Sequence, residues 1–249
     1  MKYIASVSFG KDSLAMLLML IEKKCKLDEV IFYDTGMEFK AIYDTRNIVK
    51  ELLGKKGIKY TELRPKEPFL YKMLEKEVHK RNGTIQYGYG ICGGRCRWGT
   101  TEKNITITKY LKSQYGQDYK EYIGIAADET KRIEKERDEH KLLPLVEWKI
   151  TESECLKYCY NKGFFWEENR VRLYTILDRV SCWCCGNKNN REIENMFLYL
   201  PEYWKQNIHL FEQIIARNKK GIVVEKAVEK LNKYKKERSN NIKCQITNK

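Results

Sequence analysis

Short apolar runs and amphipathic helical runs alternate through the first quarter of the chain, and that alternation limits the fold more than any single residue does. Tyr3-Ile4-Ala5-Ser6-Val7 has the β-branched and aromatic content of a short buried strand. Leu14, Leu17, Leu18 and Ile21 then recur at helical spacing, which predicts a helix from about Ser13 to Lys24. Glu29 to Tyr33 reads as a second strand, Phe39 to Leu53 as an amphipathic helix ending at Gly54, and Lys59 to Leu63 as a third strand. Strand, helix, strand, helix, strand with short connections predicts an α/β fold, an open parallel sheet with helices on both faces. Glu121 to Ala127 adds another strand. Helices predicted from Arg191 to Tyr199, Trp204 to Arg217 and Val224 to Leu231 make a helical C-terminal extension with a basic, frayed tail.

In such sheets ligands bind beyond the carboxyl ends of strands, so the segments after the strands are the candidate sites. The first is Ser8-Phe9-Gly10-Lys11-Asp12-Ser13. Gly10 permits a tight turn, the amides around Asp12 and Ser13 open a helix where an anion finds free donors, and Lys11 adds a full positive charge. A capped helix start with Ser8 or Asp12 as cap is the alternative for this hexapeptide taken alone. The second strand ends in Asp34-Thr35-Gly36, small and polar residues able to converge on the same place. The strand from Glu121 ends in Asp128-Glu129-Thr130-Lys131-Arg132, where Arg132 offers a planar fork to phosphate or sulfate, or else belongs to a solvated helix start.

Ser8 to Ser13 resembles the SGGxDS phosphate-binding loop of the adenine nucleotide alpha hydrolase (PP-loop) superfamily, with Phe9 in place of the first glycine. Its pairing with Asp34-Thr35-Gly36 is similar to the branch that holds phosphoadenosine phosphosulfate (PAPS) reductases. Leu143-Pro144-Leu145-Val146-Glu147-Trp148 resembles that family's Pro-Leu-x-x-Trp segment, and Arg179-Val180-Ser181-Cys182-Trp183-Cys184-Cys185 its Arg-x-Gly-Cys-x-x-Cys element. The resemblance implies a nucleotide-binding α/β domain over residues 1–186, with a lid-like segment at about 65–104, and a helical extension over 187–249. It implies an adenine nucleotide, ATP, adenylyl sulfate (APS) or PAPS, with magnesium if ATP is cleaved. Ser8, Phe9, Gly10, Lys11, Asp12, Ser13, Asp34, Thr35 and Gly36 would border the nucleotide, and Lys11, Asp12, Asp128 and Arg132 would take part in the reaction.

Nine cysteines, an odd number, do not suit a secreted disulfide scaffold and point to metal or redox work. Cys92 and Cys96 lie in a glycine- and arginine-rich loop, and Cys182, Cys184 and Cys185 fall within four residues. In APS reductases the pair corresponding to the later motif completes a four-cysteine iron-sulfur site. By spacing, Cys92, Cys96, Cys182 and Cys185, with Cys184 as alternative, supply four thiolates, which suit zinc or a four-iron cluster equally. Cys96, between Arg95 and Arg97, is the electrostatic candidate for a nucleophile. Cys155 and Cys159 fall on one helix face and read as buried thiols, while Cys244 lacks the sequence context of a tail nucleophile.

The formal charge of +14 suits a nucleic-acid partner, although basic residues interleaved with acids also reflect compositional bias. Lacking a long apolar run or a signal-peptide pattern, the chain is expected in the cytoplasm, away from membranes. The leading reading is a PAPS reductase-family enzyme that binds the adenine nucleotide and carries out sulfur chemistry, sulfonucleotide reduction or sulfur transfer, with a thiol electron donor or a sulfur donor. The alternative is ATP-dependent adenylation of a nucleic acid before sulfur transfer. A nucleotide-binding protein without turnover is a third reading.

Overall fold

The structure is a computed structural model that describes residues 1–91, 96–136 and 138–247, with 97, 98, 238 and 240–247 described by backbone alone. The order is β1 (Lys2–Ser6), α1 (Lys11–Glu22), β2 (Glu29–Tyr33), α2 (Lys40–Lys55), β3 (Lys59–Leu63), α3 (Phe69–Leu74), β4 (Glu77–His79) and β5 (Ile85–Tyr87). A π-helical turn (Arg97–Glu102) leads into α4 (Lys103–Tyr115), followed by β6 (Tyr119–Ile123), α5 (Thr130–Ile133), β7 (Lys141–Leu142), α6 (Pro144–Glu147) and α7 (Glu152–Asn161). The chain ends with β8 (Glu167–Glu168), β9 (Val171–Arg172), α8 (Leu173–Ile176), α9 (Asn190–Tyr199), α10 (Pro201–Arg217) and α11 (Ile222–Thr247).

These elements form two compact units that interleave along the chain. The first holds Met1–Asp34, Glu38–Arg64 and Glu102–Trp166; the second holds Thr35–Met37, Pro65–Thr101 and Glu167–Lys249.

The first unit is built on a five-stranded sheet in the order β3-β2-β1-β6-β7, parallel at every pairing. All five residues of β2 are buried, as in a strand covered on both faces. On one face Ile4, Ile31, Tyr33 and Tyr119 pack against Ile107 and Leu111 of α4. Because β1 is followed in space by β2 on one side and β6 on the other, the order reverses between β1 and β6. That reversal is the position at which open α/β sheets bind ligands.

Several element ends differ from expectation for local reasons. β6 stops at Ile123, four residues short, because the backbone after Gly124 turns: Ile125 N–H bonds back to Ile123 O at 3.0 Å. β7 is too short to show as a period in sequence and exists only by pairing with β6, Lys141 opposite Glu121. Helix α7 opens on a capping box, Thr151 and Glu154 each bonding to the other's backbone N–H.

In the second unit, residues 65–91 form a short helix and an antiparallel hairpin, β4 with β5. Where a frayed tail is expected, α11 continues as helix through Thr247.

Candidate functional site

The loop after β1 folds around its own hydroxyls. Ser8 N–H donates to Ser13 Oγ at 3.1 Å, the two hydroxyls lie 3.1 Å apart, and Ser13 Oγ bonds to Gly10 O at 3.2 Å. Gly10 is the extended residue before α1, and no side chain caps its first turn. The first turn of a twelve-residue helix thus opens at the loop with no side-chain cap from Gly10, and its dipole favours an anion there.

Phe9 explains its own departure from glycine. Its φ of 58° lies in the left-handed region, and its ring is fully buried, 5.1 Å from that of Phe32. A left-handed residue costs about 1–2 kcal/mol, whereas burying a phenylalanine returns about 1.5–3 kcal/mol. Trp166 Nε1 holds the peptide from the other side, donating to Phe9 O at 2.8 Å. Phe9 thus shapes the loop from the core.

Lys11 is only 8% exposed, and its ammonium lies 2.8 Å from Asp12 Oδ1 and 2.5 Å from Glu152 Oε2. Burial by itself would lower the Lys11 pKa, but hydrogen bonds and charge from Asp12 and Glu152 outweigh it and hold the pKa above the ordinary lysine value. Burial raises the Asp12 pKa; Lys11 opposes this, and Glu152 and Glu129 add to it. One lysine is thus paired with two carboxylates, and a third, Glu129, acts on Asp12.

The segment after β6 completes this place. Gly124 lies against the start of α1: a Cβ added there would sit 2.7 Å from Ser13 Cα and 2.9 Å from Ser13 N. Asp128 accepts from Glu152 N–H at 3.0 Å, which seats the first residue of α7. Arg132 is half-exposed and held by Glu129, 2.6 and 2.8 Å from its two carboxylate oxygens. Asp34, at the exit of β2, is buried; Tyr43 donates to it at 2.8 Å, and Arg64 lies 3.5 Å away. Lys11, Asp12, Ser13, Asp128 and Glu129 thus come together, with Arg132 held as the outer partner of Glu129.

Sequence reasoning missed Glu152, Gly124 and Trp166. Glu152 hides inside a motif fully explained as a helix cap. The glycine at a strand end was the one available signal, since such glycines mark close backbone approach.

In the second unit the cysteine segments meet around Thr35 and Gly99. A Cβ at Gly99 would lie 3.2 Å from Cys96 Sγ and 4.0 Å from Cys182 Sγ, so both thiols flank one point that only glycine leaves open. Gly99 N–H donates to Cys96 Sγ at 3.2 Å, a bond that favours the thiolate. Thr35 Oγ1 lies 3.8 Å from Cys182 Sγ, and Trp183 N–H donates to Met37 O at 3.0 Å.

Cys185 N–H closes a turn onto Cys182 O at 3.1 Å, whereas Cys184 is buried. Cys92 and Arg95 lie outside the described residues, as does the side chain of Arg97. Among the described residues no group of three or more His, Cys, Asp or Glu is placed to hold a metal ion. Cys155 and Cys159 are buried on α7, and burial pushes the Cys155 thiol up to about 12, an inert pair.

Residues 2–88 match the phosphoadenosine phosphosulfate reductase domain family. An uncharacterized protein of Methanocaldococcus jannaschii is 24% identical over 235 residues, which cover 88% of this chain and 43% of that protein. The chain thus spans less than half the length of that relative. Among solved structures, the U34-tRNA thiolase NcsA from Methanococcus maripaludis, with its [4Fe-4S] cluster, is 16% identical. It matches over 86% of this chain and 70% of its own, with a TM-score of 0.45.

Proposed function

We propose that this chain, whose residues 2–88 match the phosphoadenosine phosphosulfate reductase domain family, is an ATP-dependent enzyme that adenylates a nucleic-acid acceptor and then transfers sulfur to it. The observation that carries this reading is Lys11 paired with both Asp12 and Glu152, with Glu129 acting on Asp12 and already holding Arg132. A sulfonucleotide brings a sulfate and at least one phosphate and needs surplus positive charge. ATP arrives with its own divalent cation, which offsets carboxylates at the loop.

In this reading the α1 amides and Lys11 hold the phosphates, and Asp34, with Thr35 and Gly36 following it in the chain, borders the adenosine. An acceptor oxygen attacks the α-phosphorus, the bond to the β-phosphate oxygen breaks, and pyrophosphate leaves. A persulfide sulfur then attacks the activated carbon and AMP leaves, which gives a mixed disulfide between the carrier thiol and the acceptor; a second thiol attacks the carrier sulfur, releasing the thiolated acceptor and leaving a disulfide that a thiol reductant reopens. Cys96, whose thiolate the Gly99 N–H favours, is the residue proposed to carry the persulfide.

A bound metal fits the cysteine segment by its chemistry, since sulfur donors flank a point kept open by Gly99. As the alternative to a sulfur-carrying Cys96, the thiolates of Cys96 and Cys182, with Cys92 and Cys185, would hold iron-sulfur or zinc, which would supply a site for a terminal sulfur atom. The surplus of positive charge, +14, supports a polyanionic acceptor.

Anaerobic incubation with ATP, APS and PAPS, with and without bulk transfer RNA, tests the assignment. Pyrophosphate released from ATP and stimulated by RNA is the expected result. Sulfite released from APS or PAPS without pyrophosphate overturns it in favour of a reductase.

A further inference from the structure

The hairpin in the second unit carries a surface that the phosphate loop and the thiols do not use. Ile85, Tyr87 and Tyr89 alternate with buried Gln86, Gly88 and Gly90, so the strand and its extension turn three successive large side chains outward. Tyr87 is 41% exposed and Tyr89 38%, and Tyr71 on α3 is 40% exposed. The chain packs tightly beneath them. Gly88 has φ +71°, and a Cβ there would lie 2.0 Å from Met73 O; Tyr89 N–H bonds to Lys72 O at 2.9 Å. The outward tyrosines are thus set on a backbone with little freedom.

Cations are brought to the same edge. Asn218, at the end of α10, receives Tyr87 N–H at 3.0 Å and donates to Tyr87 O at 2.8 Å, which docks the turn Lys219-Lys220-Gly221 beside β5. A Cβ at Gly221 would lie 3.5 Å from Lys80 Nζ, so the hairpin lysine reaches that turn. Lys219 and Lys220 are exposed. The carboxylate opposite Tyr87, Glu77, accepts from the Tyr87 hydroxyl at 3.5 Å and lies 3.8 Å from the His79 ring, and Glu67 is paired with Lys76 at 2.6 Å. From Arg217 to Lys249 eleven Lys and Arg stand against three Glu, so more than half of the chain's net charge falls in this last segment.

We propose that the face formed by Tyr87, Tyr89 and Tyr71, edged by Lys80, Lys219 and Lys220, binds a single-stranded segment of nucleic acid. Ring faces and cations side by side fit bases and phosphates in alternation, and a duplex hides the base faces that tyrosines would stack on. The inference rests on the proposed nucleic-acid acceptor and names where that acceptor is held.

Fluorescence anisotropy of the full chain with a labelled, unstructured RNA of about twelve nucleotides, the same sequence as DNA, and the RNA duplex tests it. Tighter binding of RNA than of DNA identifies ribose contacts, equal binding identifies stacking and charge alone, and both support the surface. Tyr87→Ala with Tyr89→Ala should weaken single-strand binding at least about tenfold, while Tyr87→Phe with Tyr89→Phe stays within about twofold because the rings remain. Lys219→Ala with Lys220→Ala should lower the salt dependence by about two phosphates.

ATP affinity, measured in parallel, should be unchanged in all of these variants. Loss of ATP binding in the wild type with RNA binding intact refutes the enzymatic reading and leaves this surface standing. Duplex bound more tightly than single strand, or an alanine pair that binds as wild type at an unchanged melting temperature, overturns the surface itself.

Discussion

Replacing Gly124 by alanine perturbs the proposed phosphate loop without replacing any charged or polar side chain in it. The added methyl carbon would stand 2.7 Å from Ser13 Cα, 2.9 Å from Ser13 N and 3.1 Å from the Asp12 carbonyl carbon. All three neighbours are backbone atoms of α1, so no side chain can swing away. Restoring an ordinary contact of 3.4 Å or more requires the first turn of α1 to move by about 0.7 Å. Displacements near 1 Å at a binding or reacting centre cost on the order of a hundredfold, and overpacking costs about 1–3 kcal/mol of stability. Gly124→Ala should therefore weaken ATP binding by about ten- to a hundredfold in isothermal titration while the protein still melts cooperatively. A control, Gly54→Ala, has nothing within 4 Å of its Cβ and should leave ATP affinity alone. ATP affinity within twofold of wild type in Gly124→Ala would refute the claim that the start of α1 positions the phosphates.

Lys11→Ala should abolish nucleotide binding by titration calorimetry, and Glu152→Gln, which frees the ammonium of one carboxylate, should tighten metal-free anions several-fold; unchanged affinities in both variants remove the phosphate role of Lys11. Native-state alkylation at pH 8 read by mass spectrometry should mark Cys182 and Cys185 before Cys155 and Cys159, which are fully buried. The Cys155 pKa is raised from 9.0 to about 12 in the folded protein, so the stability it contributes is complete below pH 9 and is lost as the pH rises toward 12. Urea midpoints should fall over that window by less in Cys155→Ala than in wild type. Anaerobically purified protein should contain iron or zinc by elemental analysis, reduced in Cys96→Ala and Cys182→Ala, and a metal-free, fully folded wild type would defeat the four-thiolate proposal.

Much of this protein is written locally. The strands Glu29–Tyr33 and Lys59–Leu63, the helix after the phosphate loop and the Thr151–Glu154 capping box depend on apolar period and on residues a few positions apart, and these are legible without a partner. The loop Ser8–Ser13 belongs to the same class, because a strand, a glycine turn and a helix start follow one another in the chain.

Long-range packing decided the rest. β7 is two residues long and exists through its pairing with β6; Glu152 meets Lys11 across 141 residues; Gly124 matters through the backbone of Ser13. The Cys96 and Cys182 thiols flank Gly99 from segments far apart in sequence, which spacing suggested and only folding could bring about. A side chain's charged neighbours are set by how strands are ordered and helices packed, so the chain's local pattern marked Ser8–Ser13 as a candidate phosphate loop, and tertiary structure alone brought Glu152 to its lysine.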